Sequence, residues 1–438
     1  MFKKLKYFFL NYYHRPTAKI YSLYIFLKKS LYNEKTIIIS EKTFLLKDPP
    51  KSMRYFNYFG RFIYIISNLI SIILFKKFLD SSLSLNKSIS NIDTNKGHDN
   101  STWPNQAFNF FEDEAELEDE FYQLIQNEYF KSVEALKKNN ELRDSQWWSE
   151  CRQEFYKIFF DNKKVDKEKL KNFRNDATTK AEILKDQNYL SSSKSKIVNM
   201  INSIKLVNLY HKLSINTDLS LLRKASESKV GNNFCPMYRN QRLSHRILRY
   251  AYYSSSIKNK TNLNEQENNI FLDIGGGYGG LSRSLKHIFR NSTFIIIELP
   301  ELSFLASYFL KKCFINSKIG TYSDFENNIK ISKTDLSKFD FVILPQNCLD
   351  KFEDDIIDMS INTTSLGEMT DETQDFYLNH IERITKKYFY SVNRSKKRTE
   401  KYNSRGFYQF KFNKKWDCIL YNFTHTYHVE FLGYKLEK

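Results

Sequence analysis

The chain has 438 residues, enough for two or three packed units, because single hydrophobic cores stop growing near ~250–300 residues. Its 68 Lys and Arg against 50 Asp and Glu give a net +18, but residues 1–80 carry fifteen of the bases and only four acids, and the remainder is too mildly basic to read as a nucleic-acid-binding surface. Five scattered cysteines (Cys151, Cys235, Cys313, Cys348, Cys418) include no CxxC pair and no histidine at metal-ligand spacing, which excludes a structural zinc and points to a reducing compartment, the cytoplasm.

The N-terminus, MFKKLKYFFLNYYHRP, starts basic, but Asn11 and His14 interrupt its apolar run and no small-residue cleavage site follows, so a secretory signal is not expected. A stronger run, FIYIISNLISIILF at 62–75, is flanked by Arg61, Lys76 and Lys77. It is shorter than the ~20 residues that span a bilayer and is broken by Asn68. The flanking cations suit a helix lying on an anionic membrane surface, at the inner face of the membrane, or against a partner; an ordinary buried helix and a true span are the alternatives. Residues 1–80 thus form a basic aromatic segment, and 81–105, rich in Ser, Asn and Thr, a linker.

From 106 to 260 the pattern is helical. The stretch EDEAELEDEFYQLIQNEYFKSVEALKK opens with acids and closes with lysines, as a helix dipole prefers, and Tyr, Phe and Leu recur at three- and four-residue steps. An all-helical region is predicted there. Over 261–438 short apolar runs alternate with helical stretches: IFLDI, TFIIIEL, FDFVILP, DMSIN and YFYSVN. That alternation predicts an α/β domain with a mostly parallel sheet and right-handed crossovers, and GFYQFKF, DCILYNF and THTYHVEFLGY predict antiparallel strands at its end.

The stretch FLDIGGGYGGLS places five of the chain's 12 glycines between a strand and a helix. Gly275, Gly277 and Gly280 satisfy GxGxxG, and Glu298 ends the next strand where a ribose-binding acid belongs. This spacing does not separate a dinucleotide from S-adenosylmethionine; charge favours the latter, with a nucleotide or a purely structural glycine turn as the alternatives. The carboxylate of Asp273 would repel a pyrophosphate and would attract the ammonium and sulfonium of S-adenosylmethionine. The glycines Gly275, Gly277 and Gly279 would let the ligand approach the backbone.

With its continuation, FLDIGGGYGGLSRSLKHIFRNSTFIIIELPEL, the stretch resembles the cofactor core of class I methyltransferases. Residues 225–395, through VGNNFCPMYRN, IELPE, INTTSLGEM, FYLNHIERI and YFYSVNR, resemble a sugar O-methyltransferase family of bacterial surface-glycan gene clusters. The first 100 residues lie outside the resemblance. It implies a Rossmann-like fold, S-adenosylmethionine as cofactor, and a glycan or a nucleotide- or lipid-linked sugar as substrate. By position, Asp273 and the glycines would hold the methionine part, Glu298 the ribose hydroxyls, Leu299 would pack beside the adenine, and Asp324 of TYSDF would accept from the adenine amino group. A homodimer through the helical region is a further expectation.

Methyl transfer asks the protein to align a hydroxyl and take up a proton. Glu368 in INTTSLGEM and His245 in NQRLSHRILRYAYY are two candidate bases. Asn362, Ser365 and Arg239, with Arg242 beside it, are candidates for gripping a sugar or a carboxylate; Glu368 and Asp324 each also read as helix-capping acids, and the arginines as solvated. His380 reads as a helix histidine, and His425 and His428 lack the acid cluster a metal site would need. Two alternatives stay open: an O-methyltransferase for a small aromatic or polyketide hydroxyl, and a partner-binding protein that keeps the fold without catalysis.

Overall fold

The computed structural model describes residues 38–39, 116–138, 146–175, 203, 206–207, 209–211, 213–214, 217–233, 235–395, 405–414, 416–423 and 428–436. Chain contacts divide the protein into two units. Met1–Ile20 with Asp48–Asn109 form one, which lies outside the described residues together with the 62–75 run and the linker; Tyr21–Lys47 with Phe110–Lys438 form the other and hold every element below. No helix among the described residues is long and apolar enough to cross a membrane.

After a two-residue strand, β1 (Ile38–Ile39), come α1 (Asp119–Lys138) and α2 (Gln146–Phe159). Asp119 and Glu120 occupy the first turn of α1 and Lys137 and Lys138 its last, complementing the helix dipole. A hairpin of β2 (Phe160–Asp161) and β3 (Lys164–Val165) leads into α3 (Lys167–Lys171), and α4 (Leu219–Lys224) precedes a second hairpin, β4 (Met237–Tyr238) with β5 (Gln241–Arg242). These hairpins depart from the expected all-helical region. Their turns hold two successive left-handed residues, Asn162 and Lys163 in one and Arg239 and Asn240 in the other, the geometry of tight hairpin turns, and no glycine announces them in the sequence. The segment closes with α5 (His245–Lys260), whose N-cap Ser244 accepts from the Ile247 N–H.

The α/β domain follows as β6 (Ile270–Ile274), α6 (Gly280–Lys286), β7 (Thr293–Ile297), α7 (Pro300–Cys313), β8 (Ile319–Gly320), α8 (Tyr322–Phe325), α9 (Lys333–Leu336), β9 (Phe341–Leu344), β10 (Ile357–Thr363), α10 (Asp371–Ile384), β11 (Thr385–Arg394), β12 (Trp416–Phe423) and β13 (His428–Lys435). The sheet order is β1-β12-β13-β11-β10-β6-β7-β9-β8. From β8 to β11 every neighbouring pair is parallel; β13 and β12 add antiparallel edges. Strands β6 and β7 are buried at every position, as interior strands of a covered parallel sheet must be. This is a Rossmann-like, mostly parallel α/β architecture.

The chain leaves β6 toward β7, β8 and β9, then returns to β10 on the other side of β6. The carboxyl ends of β6 and β10 therefore flank the switch point, where open α/β sheets bind ligands.

The helical segment packs on α7 through rings: Phe304 meets Tyr129, Phe155 and Phe160 at centroid distances of 6.1, 6.0 and 5.3 Å. In the same contact Glu301, only 1% exposed, pairs with Arg152 at 3.0 Å and accepts from the Tyr129 hydroxyl at 3.3 Å. The second acid of IELPE thus ties the helices to the sheet.

Candidate functional site

The glycine turn answers to several different constraints. Gly275, Gly277 and Gly279 have φ of 67°, 59° and 87°, in the left-handed region that side chains disfavour. A Cβ on Gly275 would collide with Ser365, and one on Gly276 with the Asp273 carboxylate at 2.8 Å. On Gly279 it would meet Leu310 of α7, and on Gly280 the Tyr250 ring of α5 at 2.6 Å. Only at Gly277 does a Cβ meet nothing within 4 Å. Four glycines are closed in by the protein itself, and Gly277 faces open space.

Two buried carboxylates flank that opening. Asp273, 2% exposed in β6, accepts from the Ser282 hydroxyl at 3.2 Å with Oδ2, while Oδ1 is buried without a hydrogen-bond partner. Burial raises it to about 7 against the Ser282 bond. Glu298, at the end of β7, accepts from the Gly277 N–H at 2.9 Å with Oε1 and from the Leu299 N–H at 2.8 Å with Oε2. Burial raises it too to about 7, the two N–H groups opposing and the Asp273 charge adding to the rise. Among the described residues neither carboxylate has a cationic partner. Leu299, half-buried, caps α7 just before Pro300.

Asn362 and Ser365 both support the turn. Asn362, fully buried, donates to the Ile274 carbonyl at 2.8 Å and to Ser365 Oγ at 2.5 Å, and its Oδ1 accepts from Asn393 at 2.8 Å and from the Leu366 N–H at 3.3 Å. Ser365 Oγ donates to the same Ile274 carbonyl at 3.1 Å. With its amide engaged on both sides, Asn362 has nothing left to grip a sugar, which corrects the sequence expectation for it. Asn393, from YFYSVNR, was not singled out in the sequence, and it also accepts from the Gly367 N–H at 3.2 Å.

Glu368 ends the short turn Leu366–Glu368 on the same loop and is partly exposed. His245 is the first residue of α5 and is likewise partly exposed. Arg239 lies exposed in the β4–β5 turn, its guanidinium 5.4 Å from the Tyr238 ring centroid, and Arg242 donates to the Asn233 carbonyl at 2.8 Å. Asp324 is the N3 residue of a capping box on α8, where it accepts from the Thr321 N–H at 2.7 Å and the Thr321 hydroxyl at 3.2 Å. Its capping role accounts for these contacts. His380 pairs with Asp350 at 3.1 Å and packs on Phe376. His428 lies on β13, His425 falls outside the described residues, and no group of three metal-ligating side chains gathers among the described residues.

Tyr278 and Tyr250 were missed. Tyr278, the non-glycine of GGGYGG, is 1% exposed, packs edge-on to Phe309 at 4.7 Å and lies under the Arg174 guanidinium at 4.9 Å. The five-glycine run gave the signal for Tyr250, since Gly280 must be bare to admit its ring.

No protein-family model and no curated protein matches the chain. Among solved structures it is similar to Haemonchus contortus phosphoethanolamine N-methyltransferase 2 in complex with S-adenosyl-L-methionine, at 15% identity over 32% of this chain and 27% of that one, with a TM-score of 0.22. It is also similar to a SAM-dependent methyltransferase from Methanosarcina mazei, at 15% identity over 42% of this chain and 97% of that one, with a TM-score of 0.28. The chain thus spans about a quarter of the Haemonchus enzyme. At such scores the fold assignment stands on strand order and register.

Proposed function

We propose that the chain is an S-adenosylmethionine-dependent O-methyltransferase whose acceptor is a sugar hydroxyl of a bacterial surface polysaccharide or its precursor. The observation that carries the cofactor is the open space at Gly277, flanked by two buried carboxylates that lack a cation. An unpaired buried carboxylate is costly, and a cationic ligand relieves that cost where a phosphate would add to it. Asp273 Oδ1 accepts from the ligand's ammonium. Glu298, already fixed by two backbone N–H groups, presents its remaining lone pairs to the ribose hydroxyls.

When bound, the cofactor supplies a methyl group on a sulfonium, open to in-line displacement. The protein's part is to hold the acceptor oxygen in line and to take its proton. Glu368, partly exposed on the loop that buttresses Gly275, is the base we favour over His245, because that loop stands at the carboxyl edge of β10 beside the switch point. The sugar acceptor rests on the INTTSLGEM and YFYSVNR motifs.

Incubation with methyl-labelled cofactor and a panel of hydroxylated acceptors tests this reading. Label passing to sugars supports it, and label passing only to phenols replaces the sugar by an aromatic acceptor. A protein that neither binds the cofactor nor transfers label is not an enzyme of this kind. Glu368→Gln is expected to slow transfer at least tenfold without changing cofactor affinity; near-normal turnover would move the base elsewhere.

A further inference from the structure

Three arginines, Arg174, Arg283 and Arg246, stand on the α5 side of the glycine turn. Arg174, 2% exposed, pairs with Glu227 at 3.0 Å, and the other Glu227 oxygen accepts from the Ser244 hydroxyl. Arg283, 1% exposed, donates to the Ser226 carbonyl at 3.2 Å, close enough for its charge to act on the same glutamate. The Glu227 carboxylate is thus already paired with Arg174.

Arg246, in the first turn of α5, is partly exposed. Among the described residues its one hydrogen bond runs from Nη1 to the Tyr250 hydroxyl at 3.4 Å, its Nε is buried without a partner, and no carboxylate lies within ion-pair distance. The guanidinium stands 6.0 Å from the Tyr278 ring centroid. The Tyr278 hydroxyl is itself buried and unpartnered. It lies 3.1 Å, and Tyr250 Cζ 3.2 Å, from the point where a Cβ on Gly280 would stand. A planar cation and two phenols therefore converge at the end of the glycine turn. Arg246 is partly exposed, yet its Nε is buried without a hydrogen-bond partner, and the guanidinium's fork matches a carboxylate's two oxygens.

We propose that Arg246, with the Tyr278 and Tyr250 hydroxyls, forms a carboxylate-binding subsite beside the glycine turn. It is filled by the amino-acid carboxylate of the methyl donor or by the carboxylate of an acidic sugar acceptor. The subsite rests on the methyltransferase reading above and shifts the anion-binding role from the exposed Arg239 to Arg246 in the first turn of α5.

Calorimetric titration of the full-length protein separates the sources. S-Adenosylhomocysteine is compared with its decarboxylated analogue, and D-glucuronate with D-glucose on the S-adenosylhomocysteine-saturated protein, for wild type, Arg246→Met, Arg246→Lys and Tyr278→Phe. If the donor fills the subsite, wild type prefers S-adenosylhomocysteine over the decarboxylated analogue at least tenfold, Arg246→Met brings the ratio near one, and Arg246→Lys recovers part of it. If the acceptor fills it, that ratio is near one throughout, and wild type binds glucuronate over glucose while Arg246→Met does not. Should Arg246→Met fail to fold, Arg246→Lys and Tyr278→Phe carry the same comparison, with a several-fold loss of preference expected. Folded variants that keep both wild-type ratios overturn the subsite alone. A wild type that binds neither nucleoside overturns the methyltransferase reading, and the subsite falls with it.

Discussion

Two buried carboxylates whose protons are held to about pH 7 make the site sensitive to pH. Asp273 and Glu298 keep their protons to about pH 7 in the folded chain but release them near pH ~4 when unfolded. The native state then binds more protons than the unfolded state between these values, so the pair's contribution to stability is full below pH ~4 and is lost as pH rises through about 7. Asp273→Asn should therefore raise the melting temperature relative to wild type, by an increment that grows from pH 5 to pH 7 and then levels off. A pH-independent increment would show that burial does not hold the proton there. Ligand binding runs the opposite way. A cationic cofactor favours the ionised pair, so its affinity should climb between pH 6 and 8 in wild type and lose that slope in Asp273→Asn. Glu298→Ala removes two charge-assisted contacts to the ribose and should weaken cofactor binding by about 1–3 kcal/mol; unchanged affinity by calorimetry would refute the ribose assignment.

At the scale of the element, the glycine turn separates folding from binding. Gly280→Ala drives a methyl into the Tyr250 ring and should cost ~1–3 kcal/mol of stability, seen in a denaturation midpoint. Gly277→Ala meets no protein atom, so its stability cost should stay near the ~1–2 kcal/mol of a strained left-handed residue, while cofactor affinity falls at least tenfold. Equal effects of the two substitutions on binding would mean the open space at Gly277 is not where the ligand sits. This turn was legible in the sequence because strand, glycines and acid are local and each residue type has one physical reason to be there. The loop after β10 was legible as a loop at the right edge, but Asn362 was misjudged. Its partner, Asn393, lies 31 residues further along in an adjacent strand, and no local pattern reveals an amide facing inward. The two hairpins escaped for a related reason, since their turns are made by Asn162 with Lys163 and Arg239 with Asn240 instead of by glycine.

Across the whole molecule, the helical segment is fastened to the sheet at the helix that follows Glu298. Arg152 and Tyr129 converge on Glu301, two residues after Leu299, so the same short motif IELPE that holds Glu298 also anchors α1 and α2. Glu301→Ala would leave Arg152 buried opposite an empty site, at about 3–5 kcal/mol. Limited proteolysis should then cut within 119–175 at protease levels that spare wild type. Equal resistance would show that the rings around Phe304 suffice. Because α7 begins at Pro300, loosening this contact should also weaken cofactor binding. The central claim, however, rests on the two carboxylates around Gly277. Its most direct test is calorimetric titration of S-adenosylhomocysteine into the purified full-length protein and into Glu298→Ala and Asp273→Asn. The account predicts one-to-one binding in wild type that falls about five- to 150-fold in Glu298→Ala, the equivalent of ~1–3 kcal/mol, and that weakens in Asp273→Asn as well. Absence of binding in wild type, or binding that ignores both substitutions, would contradict it.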